Sequence, residues 1–290
     1  MKILVLGASG QLGNCLKKVS GERNIIDISF PSEDTGNILN VELLRDLFTS
    51  ERPAYVVNCA AYTAVDKAEE DIETCRRVNK DGAGNVAELC KTFGAKFIQI
   101  STDFVFQGNV AKLLSETDPT EPTNIYGITK LEGEHLTANI LAEHFIIRTS
   151  WLYSEFGNNF VKTMLRLAGD RDQLSVIVDQ MGSPTYAIDL AGAILDLIAA
   201  ESKAYGIYHY SNEGAISWYD FAKAIFHISD SPVKVNPVRT TEYVTKATRP
   251  AFSVMDKTKI KNELGVAIPY WRDSLEECLH RLKSSEKVIS

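Results

Sequence analysis

A tyrosine and a lysine at helical spacing are the residues of this sequence best suited to chemistry. Tyr126 and Lys130 open a helical pattern, and residues four apart lie side by side on one helix face. A phenol can protonate the alkoxide that forms when a carbonyl accepts a hydride, provided that a neighbouring group such as an ammonium stabilises its anion. The pair therefore predicts a proton-transfer site for carbonyl reduction.

A glycine-rich turn near the N-terminus predicts the hydride source. Three glycines follow a short apolar run and open a helical pattern, a context in which they permit a sharp turn, close approach to a pyrophosphate and close packing of helix on strand. The helix N-terminus then offers free amides to the anion. We therefore expect a dinucleotide at Gly7, Ser9, Gly10, Gln11, Leu12 and Gly13.

The acid that binds the adenosine ribose usually lies about 20 residues after the first glycine. Asp27 stands near that position and is the expected ribose contact. No arginine follows it closely to favour a 2′-phosphate. The sequence therefore leaves NADPH and NADH both open as the cofactor.

A polar cluster ends the fourth predicted strand. Ser101, Thr102 and Asp103 directly follow the strand-like run 97–100. Folds with parallel sheets bind ligands at the carboxyl edge, where this cluster would lie. Turn chemistry alone also explains such residues, but together with the tyrosine–lysine pair they indicate an active site.

The elements that position these residues alternate in type. Strand-like runs at 3–6, 24–28, 55–60, 96–101 and 145–149 are separated by helical patterns. This alternation predicts an α/β protein with a Rossmann-type doubly wound parallel sheet. The rhythm changes after about Trp151, which indicates a smaller α/β C-terminal substrate lobe. We expect a nucleotide-binding domain of residues 1–150 plus about 174–204, and a substrate-binding lobe of residues 151–173 with 205–290.

With these motifs, the sequence resembles the extended short-chain dehydrogenase/reductase family, in particular its members that reduce 4-keto sugar nucleotides. The segments that carry the resemblance are 7–13, 58–69, 101–108, 126–132, 148–153, 157–160, 179–185 and 249–250. The resemblance covers residues 3 to about 280. It implies reduction of the 4-keto group of dTDP-4-dehydro-L-rhamnose to dTDP-L-rhamnose, with NADPH or NADH as the cofactor and a nucleotide sugar as the small-molecule partner.

The resemblance also implies roles for individual residues. Tyr126 would protonate the sugar O4, Thr102 would hydrogen-bond the same carbonyl, and Lys130 would bind the nicotinamide ribose and lower the pKa of Tyr126. Further cofactor contacts are implied at Ala60, Ala61 and Tyr62, and further substrate contacts at Asp103, Trp151, Asn159 and Arg249. The alternative roles are a helix cap for Asn159, a surface ion pair for Arg249 and packing between lobes for Trp151.

The sequence departs from the family at two positions that bear on assembly. Some members dimerise through a magnesium ion held by two glutamates, and the matching positions here are Cys15 and Ile188. Neither side chain suits a hard cation. We therefore expect no metal site, and either a monomer or a metal-independent homodimer.

Two alternative functions exist on the same fold. Sugar-nucleotide dehydratases place a glutamate after the Thr-Asp pair, where this chain has Phe104, and epimerases retain their cofactor through the cycle. A non-catalytic regulatory subunit is the other alternative. The intact set of Thr102, Tyr126 and Lys130 argues against the regulatory function.

Composition restricts the partners further. The net charge of −7, without a long run of either sign, argues against nucleic acid and anionic membrane surfaces. The longest apolar stretch, 187–200, is short and contains Asp189 and Asp196, and we expect no secretory signal before the first strand. The five cysteines form no C-x-x-C pair. We expect a cytoplasmic protein with reduced thiols.

Overall fold

The computed structural model describes residues 1–289, with side chains described through Ser284. The strands are β1 (Ile3–Leu6), β2 (Ile28–Ser29), β3 (Tyr55–Asn58), β4 (Lys96–Thr102), β5 (His144–Thr149), β6 (Leu152–Tyr153), β7 (Gln173–Ile177), β8 (Met181–Gly182), β9 (Thr185–Tyr186), β10 (Gly206–His209), β11 (Ile216–Ser217) and β12 (Lys234–Val238). The α-helices are α1 (Gln11–Glu22), α2 (Val41–Glu51), α3 (Val65–Ala68), α4 (Ile72–Arg76), α5 (Gly82–Phe93), α6 (Ile125–Ile140), α7 (Phe160–Asp170), α8 (Ala187–Ala199), α9 (Trp218–Ile228), α10 (Thr258–Leu264) and α11 (Trp271–Ile289). A π-helical turn, Arg77–Asp81, joins α4 to α5.

Six parallel strands form the main sheet in the order β10-β5-β4-β3-β1-β2. The chain moves outward from β1 to β2 and then returns to the other side of β1 with β3. This reversal creates a topological switch point between β1 and β3, and ligands in such sheets bind outside the carboxyl ends of the strands there. The predicted α/β fold with a doubly wound parallel sheet is confirmed.

Apolar cores on both faces hold the sheet in place. All four residues of β1 are buried, as in a strand that is covered on two sides. Helices α1 and α8 cover one face, and α2 and α5 cover the other. The amphipathic helices therefore fix the carboxyl edge of the sheet as a rigid platform for the residues that follow each strand.

The second lobe has its own apolar core, formed by α7, α9, α11 and the β7–β12 pair. Two strands belong to a different lobe from the one predicted for them. β7, predicted in the nucleotide-binding domain, pairs with β12 instead, and its alternating burial shows that one of its faces packs on the core of the second lobe. β10, predicted in the substrate lobe, pairs with β5 and completes the main sheet.

The lengths of the helices and the state of the cysteines bear on the predicted location and redox state of the protein. Within residues 1–289, every helix is too short or too polar to cross a membrane. All five cysteines are free thiols, and burial is the main cause that raises the pKa of Cys15, to about 12, and those of Cys59, Cys75, Cys90 and Cys278. These thiols are therefore protonated and poorly nucleophilic near neutral pH.

Candidate active site

The glycine turn forms a tight cradle at the end of β1. Gly7 has a φ of +72°, and a Cβ there would lie 2.4 Å from the backbone nitrogen of Ala60. A Cβ on Gly13 would lie 2.5 Å from the carbonyl oxygen of Gly7. The cradle therefore requires glycine at both positions. It opens into a cavity of about 350 Å³, the glycine cavity, lined by Gly7, Ser9, Gly10, Ala60, Ala61 and Tyr62 among others.

Asp27 does not lie in this cavity, so the prediction that it binds the cofactor ribose is wrong. Its carboxylate pairs with the amino group of Met1 at 2.7 Å, and its carbonyl accepts from the amide of Ile3. The predicted strand 24–28 forms only from Ile28, because Asn24, at a φ of 55°, still belongs to the turn after α1. Asp27 therefore lies at the amino edge, and Glu33 is the acid that lines the cavity instead.

Tyr126 and Lys130 lie on α6 beside the end of β4. Asn124 caps this helix by accepting from the amide of Gly127 at 2.8 Å. Gly127 packs on the turn after β4, since a Cβ there would lie 2.2 Å from the carbonyl oxygen of Phe104. The ammonium of Lys130 donates to the carbonyl oxygen of Ile100 at 2.6 Å. The cap and the close approach therefore bring the tyrosine–lysine pair against the strand end.

A single cavity of about 560 Å³, the catalytic cavity, brings the predicted catalytic residues together. Thr102, Asp103, Tyr126, Lys130 and Trp151 line it, and so do Gly10, Gln11 and Leu12 from the start of α1. Thr102 donates a hydrogen bond to a carboxylate oxygen of Asp103 at 3.1 Å. The catalytic cavity adjoins the glycine cavity, because Gly10, Cys59, Ala60 and Ala61 line both.

Burial dominates the electrostatics of this cavity. It raises the pKa of Tyr126, a hydrogen bond with Thr102 opposes this, and Asp103 adds to the rise; the pKa is thus raised and not lowered as expected from Lys130. Burial lowers the pKa of Lys130 to about 8, although Glu134 opposes this. Burial also raises the pKa of Asp103 to about 6, against hydrogen bonds with Ser253 and Thr102. Tyr126 is therefore a protonated phenol near neutral pH, as a proton donor requires.

Trp151 forms one wall of the catalytic cavity in a strained conformation. Its φ is +47°, which is rare for a bulky residue. Its ring stacks on Trp218 with centroids 3.6 Å apart, and a Cβ on Gly182 would lie 2.7 Å from the indole. Sequence reasoning missed Trp218 as a site residue. The Ser217–Asp220 capping box predicts where α9 begins, and so places Trp218 in its first turn. It does not predict that Trp218 stacks on Trp151.

Asn159 is engaged within the protein. Its side chain caps α7 by accepting from the amide of Lys162 at 3.1 Å. Its amide group donates to Gln11 and to the carbonyl oxygen of Ser154, both at 2.8 Å. The structure thus gives Asn159 the alternative role of a helix cap, and ties the start of α1 to the second lobe.

Arg249 lines a third cavity, of about 630 Å³, between α3, α7, β7, α9 and the segment 243–249. This interlobe cavity has aromatic walls from Phe160, Trp218 and Tyr243, and a basic rim that includes Lys67. Arg249 forms a two-pronged ion pair with Asp66, with Nη–Oδ distances of 2.6 and 3.1 Å. Its guanidinium holds the pKa of Asp66 below the usual range. Arg249 is therefore both an ion-pair partner and a cavity residue.

The parallel sheet, the glycine cradle and the tyrosine–lysine pair at one carboxyl edge are the features of the extended short-chain dehydrogenase/reductase class. Comparison with known proteins narrows this class. The sequence model described as "RmlD substrate binding domain" matches residues 1–284. The chain belongs to this family, and the resemblance stated from the sequence is confirmed.

Relatives match over nearly the full chain. A dTDP-4-dehydrorhamnose reductase of Aggregatibacter actinomycetemcomitans is 38% identical over 95% of this chain and 97% of its own length. The crystal structure of a dTDP-4-dehydrorhamnose reductase from Clostridium acetobutylicum superposes with a TM-score of 0.93 at 40% identity, covering 98% of this chain and 100% of that one. A Bacillus anthracis reductase of the same name, in complex with NADP, gives 0.92 at 39% identity, with coverage of 97% and 100%.

Proposed function

We propose that this chain is an NADPH- or NADH-dependent reductase that converts the 4-keto group of dTDP-4-dehydro-L-rhamnose into the hydroxyl of dTDP-L-rhamnose. The observation that carries the proposal is the meeting of Thr102, Tyr126 and Lys130 in one cavity with the start of the glycine-turn helix. The names of the relatives support the choice of substrate.

The residues present fit a nicotinamide dinucleotide. The cradle at Gly7 and Gly13 leaves no room for a Cβ, and Gly10, the N-cap of α1, lines the adjoining cavity, so that a pyrophosphate there would lie at the helix N-terminus. Gly10, Gln11, Leu12, Ala60, Ala61 and Tyr62 would hold the remainder of the dinucleotide. When bound, the reduced nicotinamide supplies the hydride. The first lobe would thus hold the cofactor.

The protein's own groups handle the proton and the substrate. Tyr126, kept protonated by burial, donates its phenolic proton to the sugar O4 as negative charge develops there. Thr102 hydrogen-bonds the same oxygen, and the ammonium of Lys130 offsets the charge left on the phenolate. Asp103 and the Trp151 ring line the same cavity and would hold the sugar.

The interlobe cavity suits the nucleotide part of the substrate. The Trp151–Trp218 stack separates it from the catalytic cavity, because Trp151 lines one and Trp218 lines the other. Arg249 and Lys67 provide cations for a diphosphate, and the aromatic walls provide apolar surface for a base. A substrate with a sugar at one end and a nucleotide at the other matches this pair of cavities.

We further propose that the protein acts in the cytoplasm as a monomer or a metal-independent homodimer. Neither the Cys15 nor the Ile188 side chain contains an oxygen that could bind a hard cation, and both pack in apolar surroundings. Among the described residues, no cluster of three His, Cys, Asp or Glu side chains is arranged for a metal ion.

The test is oxidation of NADPH and NADH, followed by loss of nicotinamide absorbance, with dTDP-4-dehydro-L-rhamnose generated in situ. We expect rapid oxidation with at least one cofactor and formation of dTDP-L-rhamnose. Tyr126→Phe serves as the control for background oxidation. Folded protein that binds a cofactor yet oxidises neither would overturn the proposal.

A further inference from the structure

A buried ion pair lies directly behind the catalytic lysine. Glu134 and Arg148 are 1% and 2% exposed. The guanidinium donates to both carboxylate oxygens, from Nε at 2.9 and 3.2 Å and from Nη2 at 2.7 Å. Ser101 adds a hydrogen bond from its hydroxyl to Glu134. The carboxylate is therefore fixed in a single orientation by two neighbouring elements.

The pair is attached to the same stretch of backbone as Lys130. Glu134 follows Lys130 by one helical turn on α6, so the two side chains share a helix face. Lys130 donates to the carbonyl oxygen of Ile100, and Glu134 accepts from the next residue, Ser101. Arg148 lies opposite Ser101 on the neighbouring strand β5. Two adjacent residues of β4 thus hold the lysine and the ion pair together.

Folding stability alone gives little reason for such a pair. Removing two charges from water costs several kcal/mol per ion, and a well-packed apolar pair is often as stable or more stable. The surroundings of Arg148 are the ring of Phe106, 5.1 Å away, and the His209 Nε2 atom at 3.5 Å from Nη1. Burial and then Arg148 lower the pKa of His209 to about 3, so this histidine is neutral and adds no charge.

Of the side chains near Lys130, Glu134 has the strongest influence on the charge of the lysine. Those that shift its pKa are Glu134 on its own helix, Cys59 after β3 and Cys75 on α4, and Tyr126 and Asp103 line the same cavity. Burial raises the pKa values of both thiols, so they are neutral near pH 7. Glu134 is the anion of these three groups, and Arg148 limits how strongly its charge acts on the lysine.

We propose that the buried Glu134–Arg148 pair controls the charge of Lys130, with Glu134 keeping the lysine protonated at its buried position and Arg148 moderating and orienting that carboxylate. Both are positioning residues, since they act through Lys130. The consequence for catalysis rests on the proposed reductase function, whereas the control of the lysine charge does not.

The test is a titration of Lys130 in the full chain by NMR with isotope-labelled lysine, in which Lys130→Met identifies the signal. We expect a midpoint of about 8 in the wild type. In Glu134→Gln the lysine loses its anion and keeps the repulsion of Arg148, so the midpoint should fall by about one pH unit. The double variant Glu134→Gln/Arg148→Met also removes that repulsion, and its midpoint should lie between the two. Glu134→Asp retains the charge and is the matched control.

Lys130 midpoints equal to that of the wild type in the folded single and double variants would overturn the proposal. The ion pair would then serve only to stabilise the structure. If Glu134→Gln does not fold, the double variant, which has no unpaired buried charge, provides the same comparison with the wild type. The alkaline limb of kcat should follow the midpoints in the active enzyme. If the Lys130 midpoint shifts in the variants but the wild type has no reductase activity, the control of the lysine charge stands and the proposed function is rejected.

Discussion

The catalytic cavity and the interlobe cavity hold their polar groups by different means. In the first, Thr102, Asp103 and Lys130 are at most 4% exposed and bonded to strand ends. In the second, Arg249 and Asp66 are 23% and 43% exposed, and the neighbouring Lys246–Glu70 pair is more open still. Under the proposed function, the chemical step would use desolvated, fixed groups, whereas recognition of the nucleotide would use groups that water and ligand can compete for.

Tyr126→Phe, a change in the catalytic cavity, should produce the largest effect on turnover. Because the hydroxyl acts in the transition state, we expect kcat to fall about 10²–10⁴-fold while the dissociation constant of the cofactor changes little. Steady-state kinetics and a cofactor titration measure the two quantities. Unimpaired turnover would exclude Tyr126 as the acid.

Trp218→Ala should affect the boundary between the two cavities. Without its stacking partner the Trp151 ring loses its fixed orientation, so we expect KM for the sugar nucleotide to rise about tenfold and kcat to fall less. Trp218→Phe keeps an aromatic face and should recover most of the loss. Kinetic constants equal to those of the wild type in folded Trp218→Ala would show that the stack serves packing alone.

Arg249→Met should act on recognition only. Loss of a charge-assisted contact to the diphosphate should raise KM by about tenfold and leave kcat nearly unchanged. Asp66→Asn is the control, because it frees Arg249 from its ion pair and should leave KM equal or lower. An equal rise of KM in both variants would instead mean that the ion pair matters as a structural link between α3 and the segment 243–249.

Asp103→Asn should change the free energy of unfolding, a quantity that the kinetic comparisons above do not measure. Burial raises the Asp103 pKa to about 6, so the folded protein binds a proton more tightly than the unfolded chain, and wild-type stability falls as the pH rises through about 4 to 6. The asparagine lacks this penalty and should be more stable by about 3 kcal/mol at pH 7. The difference should vanish near pH 4. Denaturant titrations at both pH values measure it, and a difference that persists at low pH would contradict the argument.

Local patterns predicted the catalytic part of the site, and long-range packing decided the rest. The glycine spacing and the Tyr126–Lys130 spacing each lie within one turn or one helix, so the sequence contains the geometry. Asp27 was misplaced because the turn at Asn24 delays the start of β2, a shift that spacing alone does not reveal.

The missed features all join segments that are distant in sequence. Trp151 meets Trp218, and Glu134 meets Arg148, across different elements. The pairing of β7 with β12 depends in the same way on the packing of the second lobe. A residue's own neighbours in sequence carry no information about such partners, so only the assembled structure identifies them.

The placement of β10 also determines the order in which the protein can assemble during synthesis. The strand that covers the edge of β5 begins at Gly206, after the chain has already left the main sheet for α7 and β7. Ile260 and Val266, which pack on the main core, are made later still. A nascent chain therefore carries an uncovered edge of β5 for much of its translation, and such edges readily pair with other chains. Truncated products that stop before Gly206 should for this reason aggregate rather than accumulate as a folded nucleotide-binding domain.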